Sequence, residues 1–156
     1  APMSSTLYAR GSVVLNLKFH NVASSNGIAE EMWQALLWIE ADFVVEVPEG
    51  VLLSEPYWCI VELATSVAAW LRDASENGPE FSYTSMDDEQ EGLLWFRHAS
   101  NGMWLVGSAW QYFESVTPVP FSELQEALRQ YVRRVLGESK PYLSVQISRK
   151  LRNVCA

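Results

Sequence analysis

A chain of 156 residues with 49% hydrophobic and 19% charged side chains is of single-domain size and too apolar to be disordered. At this length folding buries roughly two-thirds of the surface of the unfolded chain, so neither disulfides nor a structural metal is required for stability. The net charge of −8 is unevenly spread: residues 1–128 carry 4 basic and 18 acidic side chains (−14), and residues 129–156 carry 7 basic and 1 acidic (+6). An acidic body repels phosphates, which argues against nucleic acid as a partner, and it steers basic proteins toward itself. The cations of the basic end could bind nucleic acid, but they are expected to pair with the body's own excess acid.

Val13 to Phe19 alternates apolar and polar residues as a half-buried strand. Ser24-Ser25-Asn26-Gly27 is turn chemistry, and Ile28 to Leu36 reads as a helical turn or an irregular connection. From Leu37 to Val47 the alternation returns, with Glu40, Asp42 and Glu46 as an acidic outer row. Pro48-Glu49-Gly50 breaks this strand, and Val51 to Leu53 forms a short return strand. Ser54 is an N-cap candidate with Pro56 in the first turn, predicting a helix through Ile60, Leu63, Ala64, Val67, Trp70 and Leu71 to about Ala74. Within it, Glu62 is expected to face solvent or cap a local network.

Phe81 to Tyr83 is a short strand, followed by the acidic loop Asp87, Asp88, Glu89 and Glu91. Leu93–Ala99 and Met103–Trp110 then form an aromatic hairpin, since Asn101-Gly102 between two apolar runs favours a type I′ turn. A two-residue loop sets Arg97 opposite Val106 and Phe96 opposite Gly107. One face then carries Leu94, Phe96, His98, Met103, Leu105, Gly107 and Ala109, and is assigned to the core. The other groups Trp95, Trp104 and Trp110 around Arg97, either as a second covered layer or as an exposed binding platform. Ser122 and Gln125 make a capping box for an amphipathic helix ending at Gly137, with Arg129, Arg133 and Arg134 outward. Pro141 to Ile147 reads as a last strand. These elements predict an α+β domain: a mainly antiparallel sheet of about five or six strands with at least two helices packed on one face, spanning 1–156.

The residues carry little chemistry. Two histidines, His20 and His98, offer no zinc spacing, and no Gly-x-Ser-x-Gly elbow or phosphate-binding glycine loop is present. Exposed carboxylates keep ordinary pKa values and make poor general acids, and the 87–91 loop lacks the spacing of calcium loops. No catalytic residue, metal ligand or cofactor is assigned, and an enzyme is not expected. Cys59 and Cys155 form no Cys-x-x-Cys pair, and Cys59 is read as a small core residue. No secretory signal is recognisable, and no apolar run approaches the ~18–20 residues of a membrane span. The expectation is a reduced, soluble, cytoplasmic protein; nothing sets its oligomeric state.

Pro56-Tyr57-Trp58-Cys59-Ile60-Val61-Glu62-Leu63-Ala64, Phe81 to Met86 with its acidic loop, Leu93 to Phe96 and Trp104 to Gln111 resemble a group of small acidic bacterial proteins of unassigned function. In size, acidity and tryptophan content the chain also resembles immunity proteins of bacterial polymorphic or contact-dependent toxin systems. That likeness implies binding and neutralising a basic toxin domain, with a nuclease as one candidate. The expected contact residues are Asp87, Asp88, Glu89, Glu91 and Trp95, with Glu40, Asp42 and Glu46 as an alternative row. The other expectation is a small-ligand-binding or regulatory domain with an aromatic pocket.

Overall fold

The computed structural model describes residues 15–156, so Val13 and Val14 of the first expected strand lie outside it. The fold is α+β, with seven strands in two antiparallel sheets and four α-helices among the described residues. Strands β1 (Asn16–Ser24), β2 (Ile39–Val47) and β3 (Gly50–Cys59) form the first sheet in that order, with helix α1 (Met32–Trp38) between β1 and β2. Helix α2 (Ile60–Asp73) follows β3 directly. The second sheet is β4 (Phe81–Tyr83), β5 (Leu94–His98), β6 (Met103–Gly107) and β7 (Val119–Pro120). Helix α3 (Phe121–Ser139), a 3-10 turn (Lys140–Tyr142) and helix α4 (Val145–Val154) follow. The strands expected in one sheet are therefore divided between two.

Two aromatic clusters fill the core. On the first sheet, Tyr131 of α3 meets Phe19 and Phe43 edge-on, and its hydroxyl donates to Ile60 O at 2.8 Å. On the second, Trp70 of α2 packs against Phe81, Phe96, Trp104 and Phe121. The segment between β6 and β7 lies along β3 and joins the two halves: Tyr112 N donates to Leu52 O at 2.7 Å, and its hydroxyl donates to Ser54 O at 2.8 Å.

Glu49 secures the same segment, accepting from Ser115 Oγ, Val116 N and Thr117 N at 2.9, 2.8 and 3.1 Å. Burial pushes its pKa up, but these hydrogen bonds to the charged form outweigh burial and hold it below the ordinary value. A carboxylate with a depressed folded pKa contributes stability above its unfolded pKa and loses it as pH falls through the folded one. Glu49→Gln is therefore expected to lower the urea midpoint at pH 7, with the deficit closing as pH drops below the ordinary carboxylate range. An equal deficit at both pH values would refute this linkage.

Several local expectations are overturned. Residues 54–59 are strand rather than the start of a helix, because β3 pairs with β2 as far as Glu40–Cys59, and this ladder outweighs the Ser54–Pro56 capping signal. Residues 141–147 form the 3-10 turn and the start of α4, whose N-cap Ser144 accepts from Ile147 N, with Ile147, Ser148 and Leu151 buried at helical spacing. Helix α3 is preceded by Pro120 with no side-chain cap, so the Ser122–Gln125 box is not made, and it runs through Gly137 to Ser139. Of the seven cations in 129–156, Arg134 has an acidic partner, Glu138 at 2.7 Å on its own helix; no other ion pair reaches them among the described residues. The basic end therefore does not neutralise the acidic body.

The hairpin keeps its turn but not its register. Asn101 and Gly102 have φ of +57° and +73°, as a type I′ turn requires. Met103 O, however, accepts from Ala99 N rather than Ser100 N, a bulge that shifts every pair by one: Phe96 faces Val106 and Arg97 faces Leu105. A one-residue slip exchanges the faces of one strand relative to the other. Trp104 and Val106 thus join Leu94 and Phe96 in the core. Trp95 instead lies over Gly107, where an added Cβ would stand 1.9 Å from the indole, and Arg97 stacks 4.0 Å above the Trp95 ring. Trp95, Trp104 and Trp110 do not form one platform.

Candidate functional site

The central strand β2 has a bulge on each neighbour at nearly the same level. On β1 the pairs His20–Asp42 and Ala23–Glu40 leave Asn21 and Val22 facing Ala41. On β3 the pairs Ala41–Trp58 and Phe43–Glu55 leave Pro56 and Tyr57 facing Asp42. A proline in a strand is tolerated at such a bulge, where no ladder donor is needed. Tyr57 has φ of +57°, an outlier for a bulky residue, and its side chain is 78% exposed. The fold thus holds an aromatic ring in solvent on a strained backbone, a combination found at ligand-contacting positions.

Pro56 and Tyr57 form a ridge between two clefts. The first, of about 300 Å³, is lined by Trp58, Cys59, Tyr83, Asp87, Asp88 and Trp110, among others. The second, of about 430 Å³, is lined by Asn21, Glu40 and Asp42. The two acidic groups that the sequence offers as alternatives therefore flank one ridge. Glu40, Cys59 and Asp87 each place one ligand atom within 4.8 Å of the others, and they are the described residues that could hold a metal ion.

Glu62 sets the position of the acidic loop. It stands in the first turn of α2, is 6% exposed, and accepts from the Tyr83 hydroxyl at 2.6 Å and from Met86 N at 3.0 Å. It therefore faces inward and ties the start of the loop to the helix, rather than facing solvent. Next to it the Cys59 thiol is buried and pushed up to about 12, first by burial and then by Glu62, Asp87 and Glu40. The thiol stays protonated at neutral pH.

Burial, and then the charge of Asp87, raises the pKa of Glu40. A carboxyl raised in the folded state keeps its full stability below the unfolded pKa and loses some as pH rises through the folded value. Glu40→Gln is accordingly expected to raise the urea midpoint slightly at pH 7 and leave it unchanged in acid. A lower midpoint at pH 7 would show that Glu40 is held by a favourable contact instead.

The other expected contact residues are distributed as follows. Asp42 accepts from Asn21 Nδ2 at 2.9 Å and lies 3.6 Å from His20 Nε2. Glu46 pairs with Lys18 at 2.9 Å, further along β2 and away from both clefts. Glu89 and Glu91 are exposed on the loop but line neither cleft, and Trp95 belongs with Gly107 and Arg97. Tyr57, Trp58, Tyr83 and Glu62 were not anticipated in the site. Pro56 stands at the bulge that presents them, but a proline there fits the first turn of a helix equally well, so pairing with β2 and not the local sequence reveals it.

Residues 15–138 match the family described as Domain of unknown function (DUF7878), and the chain belongs to that family. No curated protein and no solved structure matches it. None of the helices among the described residues is long and apolar enough to cross a membrane.

Proposed function

We propose that this member of the DUF7878 family is a cytoplasmic immunity or inhibitor protein that neutralises a basic toxin domain with the acidic surface around Tyr57. The observation carrying this reading is the convergence of Glu40, Asp42, Asp87 and Asp88 on the two clefts beside an exposed, backbone-strained tyrosine. Among the described residues no Lys or Arg pairs with these four, and Asp42 has His20 Nε2 at 3.6 Å. Unpaired carboxylates around an aromatic anchor favour fast, salt-sensitive capture of a cationic surface.

The test is titration of the protein with the product of the adjacent gene at low salt. Asp87→Lys/Asp88→Lys is expected to weaken the complex by about a hundredfold or more, while Glu46→Lys, outside the clefts, changes it little. If no complex forms, or if protection survives reversal at 87 and 88, the reading fails. The aromatic lining of the 300 Å³ cleft favours a second reading, a small-ligand site. Binding of a metabolite that quenches tryptophan fluorescence and ignores salt would support that reading instead.

A further inference from the structure

We infer that the cleft between Tyr57 and Trp110 is a receptor for a single alkylammonium group, a lysine side chain of the partner. This rests on the functional reading above and names the group that the partner inserts. The walls are aromatic: Trp110 stands at 88° to Trp58 with centroids 6.2 Å apart, and Tyr83 lies 6.0 Å from Trp58. Trp110 is 38% exposed and forms the rim with Tyr57, whereas Trp58 is 5% exposed and lies deeper. Tyr57 and Trp110 leave ring surface exposed at the rim, and an aromatic face attracts a cation placed over it.

The charge is placed to match. Glu40, Cys59 and Asp87 come from β2, β3 and the acidic loop, yet their ligand atoms lie within 4.8 Å of one another. Neither carboxylate has an ion-pair or hydrogen-bond donor among the described residues. A guanidinium is a planar fork suited to one carboxylate held side-on, whereas an ammonium is a compact charge with three donors for acceptors converging on one spot. A further buried group lacks a partner: the indole N–H of Trp58, a residue lining the cleft, has no acceptor among the described residues. A lysine side chain brings three donors on one compact charge to the two carboxylates.

The experiment titrates the full chain with Nα-acetyl-lysine methylamide and follows the indole N–H resonances. Saturable shifts of the Trp58 and Trp110 signals are expected, with the arginine and norleucine analogues about tenfold weaker or worse. Asp87→Asn should weaken the lysine probe by about tenfold while leaving circular dichroism unchanged and the urea midpoint at pH 7 no lower than wild type. Equal binding of norleucine, tighter binding of arginine, or no shift with any probe overturns the inference. A thiolate-to-cobalt absorption band on adding Co²⁺, with displacement of the lysine probe, overturns it too, because the spot is then a metal site. Failure of the two readings is separable. A toxin complex lost on reversal at 87 and 88, with no lysine-probe binding, removes the ammonium site and leaves the function; lysine binding with no toxin complex does the opposite.

Discussion

Glu62→Ala is expected to destabilise the protein by about 3 kcal/mol, because it leaves two donors without an acceptor and each orphaned buried donor costs about 1–3 kcal/mol. Those donors are the Tyr83 hydroxyl and Met86 N–H, so the loss falls at the start of the loop that carries Asp87 and Asp88. Urea unfolding measures the stability, and amide exchange at Met86 reports the loop. Tyr83→Phe removes one of the same donors, so the double variant should lose less than the sum of the singles. A Glu62→Ala protein within about 0.5 kcal/mol of wild type, as for an ordinary surface change, would show that the carboxylate does not hold the loop. The buried acid thus serves the site by position, tying the acidic loop to the N-terminus of α2.

Trp104→Ala should have a still larger effect, about 3–5 kcal/mol, a substantial share of the stability of a domain this size. Trp104 is fully buried, donates from Nε1 to Glu76 O at 3.1 Å, and packs against Trp70, Phe121 and the His98 ring. Truncation leaves both a cavity and a carbonyl without its donor. Trp95→Ala is the informative control, since that indole covers Gly107 and stacks under Arg97 near the surface; it should cost clearly less. If the two losses came out equal, or in reverse order, the bulged register would be wrong and the unbulged hairpin correct.

That contrast shows where sequence reading succeeds and stops. The alternation in β1 and β2, the Asn101-Gly102 turn, the breaker at Pro48-Glu49-Gly50 and the apolar stripe of α3 were all legible, because each depends on the side-chain period or on the backbone freedom of one or two residues. The same local signals misled at Ser54 and Pro141. A helix N-cap and a bulged strand both accommodate serine and proline, and it is pairing with β2 that selects the strand. The bulge at Ala99 and Ser100 has no distinctive residue, yet it decides which tryptophan is buried.

The candidate site divides along the same line. Composition and charge distribution were enough to establish an acidic body and to offer Asp87, Asp88, Glu89 and Glu91, or Glu40, Asp42 and Glu46, as contact residues; a basic partner rather than nucleic acid is the expectation drawn from them. They offered the loop and the strand as rivals, because nothing local relates residues so far apart in the chain. Sheet pairing and the Glu62 anchor bring Glu40 and Asp87 together and aim Tyr57 outward, while removing Trp95 and Glu46 from the site. Side-chain period and charge are properties of short segments and can be read from them. Register, face and convergence arise from contacts between distant segments, so they exist only once the chain has folded.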